Sequence, residues 1–283
     1  MKLIVFSKSL KDKSLEELIE LGQRLEIDGY DLCVRPGYPV NPDNAAEELV
    51  RAAKRMGSAG LSIPMVTANF DVIYPHHPTA KPILSAMDKA DIRLIKLGYF
   101  RFDPLTQDFW EGVEDIRTAL SGWQKLAKQY NVKVCYHTHS IRHYASNASM
   151  LAHLIRGFDH SYIGAFLDTG HMVIEGEEFC VAAAILKDSL SILAAKDILL
   201  ERKERNGHGS MTHRGVEAGH GMVDWTEVFE TLKRLEFRGP VTIHCEFEVP
   251  EDGLIAGIER ETAFFRDFRA RYLSLAAPTT HTI

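Results

Sequence analysis

The chain has 283 residues and a formal net charge of −6, and its 45% hydrophobic and 25% charged residues are ordinary for a soluble globular protein. Its lysines and arginines are spread along the sequence rather than concentrated in one run, so we expect no nucleic-acid partner. No apolar stretch is long enough for a signal peptide or a membrane span, and we therefore expect a cytoplasmic protein without a membrane partner.

Short apolar runs alternate with longer amphipathic segments along the whole chain. Eight of these runs are rich in Ile, Val and Leu, and several are nearly continuous rather than alternating, which is typical of strands buried on both faces. The predicted strands lie at 2–6, 30–34, 61–67, 92–97, 132–137, 163–168, 191–196 and 241–246.

Eight strand–helix units predict an α/β fold with a parallel sheet and right-handed crossovers. The number of units favours closure into a single (β/α)8 barrel, a TIM barrel, for which about 250 residues are typical. An open doubly wound sheet is the alternative. We expect the barrel domain to span residues 1–275, and the last segment, 276–283, which has no periodicity, to be a mobile tail.

The segments between the strands carry helix start signals. Ser14, with Glu17 three residues further on, forms the pattern of a capping box. Asn41 precedes Pro42, and we expect this asparagine to cap the second helix with the proline at its first position. The segment 199–222 is long, polar and rich in Gly and His, which predicts a functional or disordered loop.

Two strand ends carry histidines and a carboxylate, and in a TIM barrel function gathers where the strands end. The fifth strand ends at His137, and His139 follows on the same face; either can bind a metal, move a proton or bind a hydroxyl. The sixth strand ends at Asp168, a carboxylate that needs a metal, an arginine or several donors if it is buried. His171 follows three residues later. The alternative is that Asp168 caps the next turn and His171 is solvated.

Charged side chains also follow three other strands. The eighth strand ends at Glu246, a residue type suited to metal binding or general-base catalysis. Lys196 and Arg35 end the seventh and second strands and can place positive charge near substrate oxygens, although a structural ion pair of Lys196 with Asp197 fits equally well. Arg214, in the polar segment, can approach the same site. We predict that Lys196, Arg35 and Arg214 bind substrate.

The candidate ligands are oxygen and imidazole groups without thiols, a set that suits a hard or borderline divalent cation such as Mn²⁺, Mg²⁺, Co²⁺ or Zn²⁺. The sequence has no P-loop, no G-x-G-x-x-G after a strand and no G-x-S-x-G elbow. These absences argue against a nucleotide-dependent enzyme and against a serine hydrolase.

Six short motifs follow one another along nearly the whole chain. They are DGYDLCVRPG at 28–37, YHTHS at 136–140, FLDTGH at 166–171, AKDI at 195–198, GHGMVDW at 219–225 and GPVTIHCEFEV at 239–249. This ordered set resembles the sugar phosphate isomerase/epimerase superfamily of xylose isomerase-like TIM barrels, which also contains endonuclease IV. The resemblance implies a (β/α)8 barrel that acts on a small carbohydrate.

In the epimerases of this superfamily a glutamate, an aspartate, a histidine and a glutamate at the ends of strands five to eight hold a divalent metal, and the two glutamates also move protons. The resemblance makes Asp168 and Glu246 metal ligands and implies that His171 contacts substrate hydroxyls. Two positions depart from the pattern: His137 replaces the strand-five glutamate, and Ala194 replaces the strand-seven histidine. His137, Asp168 and Glu246 would then hold the metal with reduced affinity.

The first functional hypothesis is a metal-assisted isomerase or epimerase of a small sugar, sugar phosphate or polyol-derived ketone, acting through an enediolate. Glu246 would be both ligand and proton-transfer group, His137 or His139 the opposing acid/base, and a loop histidine such as His213 would complete the ligand set. The alternatives are a lyase or dehydratase acting on an oxidised sugar or inositol derivative, and a non-catalytic sugar-binding descendant, which Ala194 favours. The sequence leaves a homo-oligomer open.

Overall fold

The computed structural model describes residues 1–248 and 253–273 of the chain. Within this part, eight parallel strands close into a barrel in which the last barrel strand of the chain lies next to the first, and two further strands form a separate antiparallel sheet. The predicted α/β class and the (β/α)8 barrel are therefore confirmed, and the open sheet is excluded. The predicted tail at 276–283 lies outside the described residues.

The barrel strands are short and nearly all buried. They are β1 (Leu3–Phe6), β2 (Gly29–Val34), β3 (Ser62–Ala68), β4 (Leu94–Lys96), β5 (Lys133–His137), β6 (Ile163–Asp168), β7 (Leu190–Ala195) and β10 (Val241–Ile243). The described helices are α1 (Leu15–Arg24), α2 (Ala45–Ser58), α3 (Ala80–Lys89), α4 (Phe109–Gln129), α5 (Ala148–Ile155), α6 (Thr169–Glu175), α7 (Phe179–Leu186), α8 (Trp225–Arg234) and α9 (Leu254–Leu273). In the described part of the chain, no helix is both long and apolar enough to cross a membrane.

The last barrel strand ends earlier than its sequence predicts. β10 stops at Ile243, and Cys245 has a φ of 47°, which turns the chain out of the extended conformation. His244 and Glu246 therefore lie in the loop after the strand and not on one of its faces. The loop still directs both side chains toward the carboxyl-terminal end of the barrel.

The segment predicted as a long loop is largely a β-hairpin. β8 (Asp197–Arg205) and β9 (His208–Val216) pair antiparallel along their whole length. Asn206 and Gly207 join them, with φ values of 52° and 77°. Asn-Gly is the preferred pair for a two-residue turn with positive φ at both positions. The loop prediction at 199–222 was wrong because it weighed polarity and ignored this turn.

The cap predicted for the first helix is confirmed, and the cap predicted for the second helix is wrong. Ser14 accepts the backbone N–H of Glu17, whose side chain bonds back to Ser14, so the capping box is confirmed. Asn41 is not the cap of the second helix: α2 begins at Ala45, and the Asn44 side chain accepts the backbone N–H of Asn41 instead. The residues after Asn41 form a turn that the proline rule does not anticipate.

The barrel interior is a packed core below a polar mouth. Ile4, Met65, Cys135, Phe166, Ile192 and Ala194 form a buried apolar cluster inside the barrel. Packing of this kind is the rule for TIM barrels, whose interior is filled by side chains from alternate strands. The chemistry is therefore confined to the ends of the strands, and Ala194 is part of the apolar floor.

Candidate active site

A polar cavity of about 280 Å³ opens at the carboxyl-terminal ends of the barrel strands. Its lining side chains are mostly ionisable or aromatic. They are Phe6, Lys8, Arg35, Phe70, Lys96, Tyr99, His137, His139, Asp168, His171, Lys196, His244 and Glu246. A second cavity of about 360 Å³ lies beside α6, α7 and α8, but its lining is mainly apolar and includes none of these ionisable groups. The barrel mouth is therefore the candidate active site.

Asp168 lies at the centre of this mouth and is almost fully buried. Its Oδ1 accepts the backbone N–H of His171 at 3.0 Å, which caps α6. Its Oδ2 has no hydrogen-bond partner in the described chain, although His137 Nε2 is 3.4 Å away and His244 Nδ1 is 3.8 Å away. Burial opposes the charge of Asp168, but His171, Lys196 and His137 outweigh it and hold the pKa of the carboxyl well below its usual range.

The histidines around Asp168 are neutral bases near pH 7. Burial lowers the pKa of His244 and of His171 to about 4 each, against the opposing pull of nearby carboxylates, and it lowers the pKa of His139 to about 3. Only 8% of His171 is exposed and the residue lines the cavity, so the alternative of a solvated His171 is wrong. Asp168 also caps the following turn, so the capping alternative and a place in the site hold together.

Hydrogen bonds fix the orientation of two of these rings. His139 Nδ1 lies 2.9 Å from the carbonyl oxygen of Ser140, which can only accept, so Nδ1 carries the proton and Nε2 keeps a lone pair. The Ser140 hydroxyl lies 2.8 Å from His171 Nδ1. The rings of His139 and Tyr99 are in edge contact, with centroids 4.3 Å apart. The histidine face of the cavity is thereby held in place before any ligand binds.

Glu246 is held by two lysines on the other side of the mouth. Lys196 Nζ lies 2.8 Å from Glu246 Oε2, and Lys8 forms an ion pair with Oε1. Burial of Glu246 is outweighed by Lys196, His244 and Lys8, which lower the pKa of its carboxyl far below the usual value. Burial disfavours the charge of Lys196 too, but Asp168 and Glu246 raise the pKa of its ammonium above the ordinary value.

A second charged cluster lies under the mouth, where Lys96 and Asp31 are both buried. The Asp31 carboxylate accepts the hydroxyl of Thr67 at 2.6 Å, and burial raises its pKa to about 6. Burial and the neighbouring charge of Arg35 lower the pKa of Lys96 to about 7, and its Nζ lies 4.2 Å from the centre of the Tyr99 ring. Near neutral pH this lysine is therefore close to losing its charge.

The residues present do not fit the divalent metal that the fold family implies. In residues 1–248 and 253–273 no group of three or more His, Cys, Asp or Glu side chains is arranged to hold an ion. Of the predicted ligands, His137 and Asp168 are neighbours, but both oxygens of Glu246 face lysine ammonium groups. Ala194 offers no donor at the strand-seven position.

Two predicted residues lie away from the site. Arg214 is on β9, exposed, with its Nε 3.6 Å from Glu201 Oε1, and it does not line the cavity. His213 is also an exposed hairpin residue and cannot complete a ligand set at the mouth in this arrangement. Both were placed over the site on the assumption of a loop, and the hairpin instead carries them along a projecting strand. Arg35, Lys196, His137, His139 and His171 do line the cavity.

Three features of the mouth were not predicted from the sequence: Lys8, Tyr99, and the position of His244 beside Asp168. Lys8 follows β1 by two residues, so the rule that reads each strand end would have found it had it been applied to the first strand. Tyr99 lies in the loop after β4 and has no polar pattern of its own. Its role follows only from its contacts with Lys96 and His139.

Comparison with known proteins agrees with the barrel and its motifs. Residues 19–268 match the family model of xylose isomerase-like TIM barrels. Because this match covers most of the chain, the chain belongs to that family, and the resemblance found in the sequence motifs is confirmed.

Individual relatives are distant. Inosose dehydratase from Bacillus velezensis is 26% identical over 129 residues, which cover 43% of this chain and 43% of that protein. The solved structure of the 3-keto-D-glucoside 4-epimerase from E. coli has a TM-score of 0.74 at 16% identity and covers 94% of this chain and 99% of its own. The IOLI protein, solved with a zinc atom, has a TM-score of 0.76 at 15% identity and covers 97% and 100%. These structures share the fold of this chain.

Proposed function

We propose that this chain is an enzyme that isomerises or epimerises a small sugar or polyol-derived ketone by moving a proton at the carbon next to the carbonyl group. The observation that carries the proposal is the placement of proton-transfer groups on two sides of one cavity. Glu246 follows β10, whereas His137 and His139 come from the end of β5, and β7 and β6 separate these strands around the barrel. A substrate carbon between them would have a base on each side.

The carbonyl oxygen of such a substrate needs a positive group, because proton removal from carbon leaves negative charge on that oxygen. We assign this role to Lys196, and its support is that the ammonium lines the cavity and contacts Glu246. A substrate oxygen that draws the ammonium away from Glu246 would also remove the counter-ion of that carboxylate and so raise its basicity. Binding of the ketone and activation of the base would then be one event.

The neutral histidines supply the opposing acid/base. His139 keeps a lone pair on Nε2. His171 lines the same cavity, and its ring is oriented by the hydrogen bond between Nδ1 and the Ser140 hydroxyl. Low pKa values keep these rings unprotonated near pH 7, so they act first as proton acceptors. Arg35 lines the cavity too and is suited to hydroxyl or anionic groups of the substrate.

A panel of ketoses, their phosphates and a keto-inositol, incubated in D₂O and followed by ¹H NMR, tests the proposal. We expect deuterium to enter at the carbon next to the carbonyl and an epimer or aldose to form. Glu246→Gln should lower the rate of deuterium incorporation at least about 100-fold, which is within the range of general acid–base contributions. Glu248→Gln, an exposed neighbour, is the matched control and should keep it.

Dehydration is the second candidate, because the matching relative from Bacillus velezensis is an inosose dehydratase. The same removal of a proton next to a ketone, followed by departure of a hydroxyl group from the neighbouring carbon, gives an unsaturated ketone and water. The NMR panel separates the two, because dehydration also removes the carbinol signal of the carbon that loses its hydroxyl group, whereas epimerisation in D₂O removes only the signal of the carbon next to the carbonyl. Ligand binding without any exchange would favour the non-catalytic sugar-binding alternative.

A further inference from the structure

We infer that two ammonium groups, led by Lys196, take the place of the divalent metal ion in this site, so that the proton transfer runs without a resident metal. The inference rests on the proposed function, because it assigns the group that stabilises the oxygen of the same ketone substrate. It is carried by three independent features: the charge pairing at Glu246, the seat built for the Lys196 side chain, and the apolar residue on β7.

The first feature is the pairing of charged side chains at the mouth. Both oxygens of Glu246 contact lysines, Lys196 and Lys8, and the charge of the nearby Asp168 also raises the pKa of Lys196. Two negative and two positive groups are balanced. A divalent cation added here would meet two ammonium groups at close range and would have to displace at least one of them to reach a Glu246 oxygen.

The seat of Lys196 is built into the chain. The hydroxyl of Thr169 accepts the backbone N–H of Lys196 at 3.0 Å and lies 2.7 Å from its carbonyl oxygen, which fixes the backbone at this point. Gly170 leaves room for the side chain, because a Cβ at this position would lie 2.9 Å from Lys196 Cγ. The lysine is therefore held toward the carboxylates by residues of the Asp-Thr-Gly turn and does not swing freely.

The β7 position removes the remaining ligand. Ala194 is fully buried in the apolar floor of the barrel with Ile4 and Phe166. Its methyl group gives no donor atom to a cation at the mouth. A cation at the mouth would therefore depend on Asp168 and on imidazoles such as those of His137 and His244, and it would lie close to the Lys196 ammonium.

The test compares the divalent-metal affinity of wild type with that of variants. Affinity is measured by isothermal titration calorimetry with Zn²⁺ and Mn²⁺ on protein dialysed against EDTA. Wild type is expected to show no saturable metal binding at Asp168, so the titration of Asp168→Asn should match that of wild type. A matched pair of variants isolates the lysine: Ala194→His restores the imidazole but keeps the ammonium, and Ala194→His/Lys196→Met also removes the ammonium. We expect the double variant to bind metal at least about tenfold more tightly than the single variant, the lower end of effects seen when groups around a metal site change.

Two results would overturn the inference. One is that wild type binds one equivalent of metal and the Asp168→Asn variant binds none. The other is equal affinity in the single and double variants, which would show that Lys196 does not exclude the ion. The wild-type titration decides the question even where a variant fails to fold. Absence of hydrogen exchange with every ketone would sink the proposed function and leave the metal result unaffected, so the two failures are distinguishable.

Discussion

The Asp168 carboxylate divides its two oxygens between the fold and the site. Oδ1 accepts the backbone N–H of His171 at 3.0 Å and so starts α6, and Oδ2 lies 3.9 Å from Nε2 of the same histidine. One short helical turn thus sets both the position of the carboxylate and that of the imidazole beside it. A change at Asp168 is expected to have a structural and a chemical effect that different substitutions can separate.

Asp168→Asn keeps an oxygen for the cap, and Asp168→Ala removes it. We expect both variants to lose hydrogen exchange on the substrate, and Asp168→Ala to be less stable than Asp168→Asn by about 1 kcal/mol, the usual value of a helix cap. Urea unfolding and the exchange assay measure the two effects. Asp224→Ala is the control, because Asp224 caps α8 in the same way but lies outside the barrel mouth. Full exchange activity in Asp168→Asn would refute a role for the charge.

Asp197 is predicted to hold the loop after the hairpin. Its carboxylate accepts the backbone N–H groups of Gly219, Gly221 and Val223 and the indole N–H of Trp225, at 2.8 to 3.2 Å. Asparagine would turn an N–H₂ group toward some of these donors. We expect Asp197→Asn to lower the free energy of unfolding by about 1.5–3 kcal/mol, the usual contribution of hydrogen bonds to a charged group. A loss below about 0.5 kcal/mol in urea unfolding, the range of surface changes, would contradict this.

Acid should destabilise the protein through its buried histidines. His171 and His244 take up protons only near pH 4 in the folded chain, because burial lowers the pKa of each, whereas the unfolded chain takes them up near pH 6.5. Below pH 6.5 the unfolded state therefore binds more protons, and stability falls until about pH 4 by up to about 1.4 kcal/mol per pH unit for each residue. Urea unfolding between pH 7 and pH 4.5 measures this slope. His244→Asn should flatten it, and a change at the exposed His208 should not.

Alkali should have the opposite effect through Lys96. The pKa of its ammonium is about 7 in the folded chain, lowered by burial, and 10.5 is its ordinary value. Between these values the unfolded state holds the extra proton, so this residue makes stability rise with pH, by up to about 1.4 kcal/mol per pH unit. Lys96→Met should be more stable than wild type at pH 7 and should lose the rise. An unchanged pH profile would count against the assignment, and Lys187→Met, on the surface, is the control.

The barrel itself could be predicted because its information is local and repeated. Each strand is a run of apolar residues such as Ile163–Asp168, and each helix that follows has an amphipathic pattern, so eight repeats indicate closure without any knowledge of long-range contacts. The failures were also local. The Asn206-Gly207 turn was overlooked, and the end of β10 at Ile243 depends on the positive φ of Cys245, which no pattern of residue types announces.

The sequence predicted several of the residues that line the mouth, but not which of them form ion pairs with one another. Reading strand ends placed Asp168, His171, Lys196 and Glu246 in one mouth, and all four line it. That the Glu246 oxygens face Lys196 and Lys8 depends on which strands are neighbours in the closed barrel, where β1 lies next to β10. Lys8 lies 238 positions from Glu246 in the sequence, and Lys196 is also far outside the local segment of Glu246, so neither contact leaves a trace in local spacing.

The most direct test of the account is hydrogen exchange in D₂O by EDTA-treated protein, with ketoses as substrates and ¹H NMR as the readout. We predict that wild type still introduces deuterium at the carbon next to the carbonyl after chelation. Glu246→Gln should not do so, and Glu248→Gln should. Exchange by Glu246→Gln at the wild-type rate, or no exchange by wild type on any ketone of the panel, would contradict the proton-transfer site described here.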